Sequence, residues 1–302
     1  MPIVIPKDMP AYTKLLSENI FVMNDKRAFS QDIRPLEIAI LNLMPTKIET
    51  ETQFMRLLSN SPLQVNITLI NTKTYKSKNT AQEYLDKFYK SFDDIKNQKF
   101  DGMIITGAPV ETMDFEEVAY WNELKKIFDF ASTNVTSTIY ICWGAQAALY
   151  YYYGITKREL PQKLFGVFKH KKDKNLQDPL LKGIDDTFYI PHSRHTTVNL
   201  EQVDNEKDLV ILSKTNEVGL SIAKSRDNKK IFLTGHMEYD RNTLKTEYER
   251  DLSKNLPIKP PINYFCDDDH TKIDVKWTST ANLFYTNWLN YYVYQVTPFN
   301  ID

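Results

Sequence analysis

Apolar positions in the first half of the chain switch repeatedly between two periods. Residues 36 to 43 form an apolar run broken only by Glu37 and Asn42, the pattern of a buried strand. Thr46, with Glu49 three residues on, reads as a capping box opening a helix to about residue 59. Leu63, Val65, Ile67 and Leu69 then alternate as a half-buried strand does. A second box, Thr80 with Glu83, predicts a helix carrying Tyr84, Phe88 and Phe92 on one face. Residues 103 to 106 read as the next strand, 119 to 131 as a helix, and 137 to 142 as a further strand. This βαβ repetition predicts an α/β protein, with a mostly parallel sheet covered by helices on both faces. In such sheets chemistry gathers at the carboxyl ends of the strands.

The second half is less regular. Short β-prone runs at 164 to 168, 187 to 190, 209 to 212, 220 to 223 and 231 to 233 are expected to extend the sheet. Two helices follow, at about 243 to 252 and 281 to 295. The second carries Leu283, Phe284, Trp288, Tyr291 and Tyr292, a stripe that reads as core or subunit contact rather than a cofactor box. The Lys/Asp-rich piece 169 to 174 reads as a solvated loop.

Length and composition narrow the function. The 302 residues suffice for one large α/β domain or two smaller ones. A net charge of -1 offers no basic field to gather nucleic acid or anionic lipid, so the natural partner is a small molecule. Two cysteines make no disulfide framework, and residues 1 to 7 lack the features of a signal peptide. No segment has the length of a membrane-spanning helix, and a cytoplasmic location is expected.

The most informative stretch is Tyr140-Ile141-Cys142-Trp143-Gly144-Ala145-Gln146, where a β-prone run meets good helix formers with Gly144 easing the turn. A cysteine at such an elbow lies at a helix N-terminus, whose partial positive charge suits a thiolate and an oxyanion. A nucleophile needs a base. Of five histidines, His236 follows the apolar run 231 to 233, so it too emerges at a strand end, and Glu238 lies two residues later. Cys142, His236 and Glu238 are therefore the candidate triad, with the Trp143 N–H as an oxyanion donor. His192 and His195 lack a third ligand with metal spacing and read as a structural loop. Cys266 to His270 reads as an acidic loop in solvent, and no phosphate-binding or dinucleotide glycine motif is present. No metal and no bound cofactor are expected.

Three stretches together resemble the homoserine O-acyltransferases of bacterial methionine biosynthesis. They are Asn42-Leu43-Met44-Pro45-Thr46-Lys47, the elbow itself, and Thr234-Gly235-His236-Met237-Glu238-Tyr239. The likeness runs to Asn287-Trp288-Leu289-Asn290-Tyr291-Tyr292-Val293-Tyr294-Gln295, so it covers nearly the whole chain. It implies one domain over 1–302, with an N-terminal extension to about 34 and a core over about 35–300. The implied fold is a flavodoxin-like doubly wound sheet similar to class I glutamine amidotransferases.

By that resemblance Cys142 takes an acyl group from coenzyme A and the γ-hydroxyl of L-homoserine receives it. Lys163, Ser193 and Arg250 fall on the family's substrate-contacting positions, and Lys47 on a position that helps place the acyl donor. Glu111 falls where a glutamate goes with acetyl-CoA and a glycine with succinyl-CoA. Succinyl carries a free carboxylate that an ionised Glu111 would repel and crowd. Homoserine O-acetyltransferase is therefore the expected activity, with the succinyltransferase as alternative; a homodimer accords with the family and the aromatic stripe. The rival enzyme class is a glutamine amidotransferase-like hydrolase, although Tyr140 stands where those enzymes generally have glycine. A binding protein with a dead site is a third class, against which His236 and Glu238 weigh.

Overall fold

The computed structural model describes residues 3–18, 20, 22–24, 34–74, 79–172 and 176–297. Twelve strands appear among them: β1 (Ile3–Val4), β2 (Val22–Met23), β3 (Leu36–Leu41), β4 (Val65–Ile70), β5 (Tyr89–Lys90), β6 (Phe100–Ile105), β7 (Val135–Ile141), β8 (Lys157–Lys171), β9 (Thr187–Val198), β10 (Leu209–Thr215), β11 (Gly219–Ser225) and β12 (Lys230–Leu233). Ten of them form one sheet in the order β10-β11-β12-β7-β6-β3-β4-β1-β2, with β5 also on β4. From β12 to β2 all neighbours are parallel; β11 and β10 close the far edge antiparallel.

Alternate residues of the central strands enter two separate cores, as the pleat requires. Ile38, Ile40, Ile104, Ile139, Ile141, Ile231 and Leu233 face one side, where helices Lys47–Leu58 and Thr278–Asn287 pack. Ala39, Leu41, Met103, Ile105, Tyr140 and Phe232 face the other, under helices Trp121–Asn134 and Trp143–Tyr153. This is an α/β doubly wound, mostly parallel sheet. The carboxyl ends of β3, β6, β7 and β12 lie side by side, so the loops that leave them share one rim.

Four expectations are corrected. Neither predicted capping box forms. Thr46 makes no side-chain cap, and Glu49 faces a cleft at the rim instead of reaching back to the helix start. The second helix starts at Gln82 after Ala81 and ends at Phe88. Tyr84 and Phe88 do share a face, with ring centroids 4.8 Å apart, but β5 intervenes and Phe92 packs against Phe130 in the opposite core. The runs around 164 and 187 do not extend the sheet. Among the strands, β8 and β9 pair only with each other as a long antiparallel ribbon, with one further bridge from Gly166 to Ile262, and its register is broken between Glu159 and Leu164, where Pro161 supplies no N–H. Finally, residues 169 to 171 are strand rather than loop, with His170 fully buried; residues 173 and 174 lie outside the described set. The aromatic stripe is mostly core: Phe284, Trp288 and Tyr292 are buried, and Trp288 Nε1 donates to Ser137 Oγ at 3.0 Å.

Gly144 eases the elbow in a different way from that expected. A Cβ on it would stand 2.6 Å from the Thr106 carbonyl oxygen, a backbone atom that cannot swing aside. Its smallness lets the helix after Cys142 lie against the end of β6, while the turn's unusual dihedral falls on Cys142 itself. Gly144→Ala is expected to cost about 2 kcal/mol of stability through overpacking, read as a lowered urea midpoint with an unchanged slope.

Candidate active site

Cys142 has φ 51° and ψ −115°, outside the regions an L-residue ordinarily occupies. Holding it costs on the order of 1–3 kcal/mol, and flanking structure enforces it. The Cys142 N–H donates to Leu233 O of β12 at 2.7 Å, and the Cys142 carbonyl accepts the Gln146 N–H at 3.1 Å. Opposite the sulfur, a Cβ on Gly107 would lie 3.7 Å from both Cys142 Sγ and His236 Cε1. Sulfur and imidazole thus border one point of space, kept open by a glycine.

His236 leaves β12 through Thr234-Gly235, and its N–H donates to Pro191 O of β9 at 2.8 Å. The segment is a turn rather than a continued strand, and the turn brings the Glu238 Oε1 to 2.7 Å from His236 Nδ1. All three side chains are nearly sealed from solvent. Burial works against a charged imidazole, but the facing Cys142 sulfur and the Glu238 carboxylate outweigh it and hold the His236 pKa well above the usual histidine range. Tyr239 stacks on the ring with centroids 4.2 Å apart, and its hydroxyl donates to Glu247 Oε1 at 2.7 Å. Trp143 is the first residue of its helix, which puts its backbone N–H at the elbow; its indole is buried beside Phe115 and Tyr120.

Cys142 and His236 open into a cleft of about 490 Å³ that Glu111, Lys163, Ser193 and Arg250 also line. Lys163 Nζ lies 3.0 Å from Asp251 Oδ2 and 3.7 Å from Glu247 Oε2, above the Phe165 ring. Ser193 Oγ donates to Glu247 Oε2 at 2.5 Å, and Arg250 Nε to Asp251 Oδ1 at 2.8 Å. Glu111 Oε2 accepts the His195 N–H at 2.8 Å. Lys47 is not a solvent lysine. It is buried, donates to the Asn42 carbonyl, and lines an adjoining cleft of about 420 Å³ that shares Thr46 and Glu49 with the first. Desolvation lowers its pKa to about 8 despite the nearby Glu51.

Sequence reasoning missed Tyr239, Glu247 and Asp251. A signal was present: Thr243, Thr246, Glu247, Arg250 and Asp251 recur at helical spacing, and all five line the cleft from helix Thr243–Ser253. His192 and His195 belong to β9, not to a loop. His195 lines the cleft, while His192 is buried with Nε2 3.4 Å from His170 Nε2. Cys266 lies in an exposed turn whose Asp267 accepts from the Thr271 and Lys272 N–H groups. Among the described residues no cluster of three such side chains could hold a metal ion, and no helix is long and apolar enough to cross a membrane.

The buried histidine pair gives a pH expectation. Burial, with the Arg194 charge, lowers the His170 pKa to about 4. The unfolded chain therefore binds the extra proton first, and this contribution to stability, complete above about pH 6.5, is lost as pH falls towards 4. The loss is about 3 kcal/mol. Urea midpoints are expected to fall over that interval, and His170→Gln to flatten the fall.

A strained cysteine at a strand-to-helix elbow, with a His–carboxylate pair at the next strand end, stands here on an α/β fold similar to that of the class I glutamine amidotransferases. Solved structures agree on the fold. A glutamine amidotransferase from Thermotoga maritima matches with TM-score 0.53 at 12% identity, covering 85% of this chain and 98% of that one. Another, from Methylobacillus flagellatus, matches with TM-score 0.52 at 13% identity, covering 85% and 95%. The chain belongs to the homoserine O-succinyltransferase family, whose model matches residues 2–299. Its relatives include proteins named homoserine O-acetyltransferase from Acetivibrio thermocellus, 59% identical over all of this chain and 99% of that one, and from Shouchella clausii, 55% identical over 100% and 98%.

Proposed function

We propose that this protein is a homoserine O-acetyltransferase, moving the acetyl group of acetyl-CoA to the γ-hydroxyl of L-homoserine for methionine biosynthesis. The observation that carries this reading is one cleft in which a Cys142–His236 pair and Glu111 face Lys163, Ser193 and Arg250. The full-length relatives supply the substrate names.

In the first half-reaction the Cys142 sulfur attacks the thioester carbonyl. The Trp143 N–H steadies the oxyanion, and His236 protonates the departing coenzyme A thiolate, leaving an acetyl-cysteine. In the second, the homoserine hydroxyl gives its proton to His236 as it attacks, and Glu238 steadies the imidazolium until the Cys142 thiolate returns. Arg250 and Lys163 suit the α-carboxylate, Ser193 the hydroxyl, and Glu247 the α-ammonium. Lys47, fixing the loop after β3 between the two clefts, helps place the acyl donor. Glu111 favours acetyl over the succinyl donor named in the family's description. We treat residues 1–302 as one domain, since its sheet draws strands from Ile3 to Leu233. The reading needs no resident cofactor, and it puts the enzyme, as a homodimer, in the cytoplasm where thioester donors are made.

The test mixes the protein with acetyl-CoA alone and weighs it intact. An acetyl adduct mapping to Cys142, discharged by homoserine, with little adduct from succinyl-CoA and ping-pong kinetics, is the expected result. No adduct, or glutamine hydrolysis in its place, rejects the reading.

A further inference from the structure

His236 is held both in its plane and across it. Glu238 Oε1, 2.7 Å from Nδ1, pins one atom of the imidazole, and a ring pinned at one atom can still roll about that bond. Tyr239 stops the roll. Its ring lies on the imidazole with centroids 4.2 Å apart and planes 18° from parallel. The other end of the phenol reaches the cleft, where its hydroxyl donates to Glu247 Oε1 at 2.7 Å. Glu247 Oε2 accepts from Ser193 Oγ at 2.5 Å, with Lys163 Nζ 3.7 Å away. Burial, with the Glu247 and Glu238 charges, raises the Tyr239 pKa well above the usual tyrosine range, so the hydroxyl remains a donor. Tyr239 is itself anchored from behind. Its carbonyl accepts from the buried Trp277 Nε1 at 2.8 Å, and its ring belongs to a third, small core with Phe165, Leu244, Tyr264 and Trp277. Phe165 carries Lys163 Nζ 4.2 Å from its ring centroid, and Leu244 lies on the helix that bears Glu247.

We propose that Tyr239 is a positioning residue that sets the separation between the Glu247 carboxylate and the His236 base, with its hydroxyl on one and its ring face on the other. The need for such a spacer comes from the amino-acid substrate. In homoserine three carbons separate the α-ammonium from the γ-oxygen, so a molecule held at Glu247 presents its hydroxyl to His236 only while that separation is kept. Tyr239 and Ser193 each engage one position on Glu247, one per oxygen, which leaves acceptor capacity for an ammonium. Acetyl-CoA brings no such ammonium. The hydroxyl link therefore matters for the second half-reaction, whereas the ring contact matters for both, because His236 acts in both. This inference rests on the acetyltransferase reading and deepens it.

Two substitutions take the links apart. Tyr239→Phe keeps the ring and removes the hydroxyl; Tyr239→Leu removes both. In a ping-pong scheme kcat/KM for acetyl-CoA reports the first half-reaction and kcat/KM for homoserine the second. The Nδ1–H proton of His236, identified as the downfield NMR signal missing from His236→Gln, reports a fixed imidazole without any turnover. Tyr239→Phe is expected to lower kcat/KM for homoserine by about tenfold and that for acetyl-CoA by less than about twofold, and to keep the downfield signal. Tyr239→Leu is expected to lower both constants by about tenfold or more and to lose the signal to exchange. Equal losses for the two substrates in Tyr239→Phe, no loss for homoserine in it, or a Tyr239→Leu signal as sharp as the parent's overturns the proposal. Should Tyr239→Leu not fold, the split between substrates in Tyr239→Phe decides alone. If the parent transfers no acetyl to homoserine, the acetyltransferase reading fails, and the NMR signal still decides the ring contact.

Discussion

Cys142→Ala is expected to lower acetyl transfer by roughly 10⁴-fold or more, the scale at which removing a covalent nucleophile leaves only binding and oxyanion stabilisation. The reason is geometric. The sulfur borders the same point as His236 Cε1 across Gly107, inside the cleft that both residues line. Steady-state transfer and intact mass after exposure to acetyl-CoA are the measurements. A variant that transfers acetyl at a tenth of the parent rate would mean that homoserine attacks the thioester directly, with the cysteine a bystander.

Glu238→Gln is expected to lower kcat by about 10² to 10⁴-fold, the range by which a positioned acid–base group contributes. The amide keeps the shape but not the charge that favours imidazolium against burial. The sign follows. In the parent, protonated His236 stabilises the fold, a contribution fully present below about pH 6.5 and lost as pH rises through the raised folded value. Without the carboxylate charge that alkaline loss begins at lower pH. The His236 ring resonance followed by NMR should titrate earlier in the variant; an unmoved titration with kcat reduced would assign Glu238 an orienting role alone.

The parallel half of the fold was legible because each buried strand is a short apolar run and each helix has its own apolar face, as at 36 to 43 and 119 to 131. The ribbon was not. β8 and β9 hold short β-prone runs of the kind a sheet strand also has, and only long-range pairing distinguishes the two. The capping boxes misled because the motif is read from spacing alone: Glu49 faces a cleft, and the second helix starts two residues beyond Thr80. At the site, Cys142 and His236 announced themselves by their place at strand ends. Lys163, Ser193, Arg250 and Glu111 were reachable only through family resemblance, since each sits in an ordinary polar stretch. Glu247 and Asp251 had a periodic polar stripe in their favour, which a search tuned to apolar periodicity passes over.

The dihedral at Cys142 has a consequence for repeated turnover. Because β12 holds the main-chain N–H of this residue and the following helix holds its carbonyl, the Cα–Cβ bond that carries the sulfur is pointed by the skeleton, and a single side-chain torsion is left to vary. If Cys142 carries the acyl group as proposed, loading and unloading it leave the direction of that bond unchanged, so the main chain needs no reset between cycles.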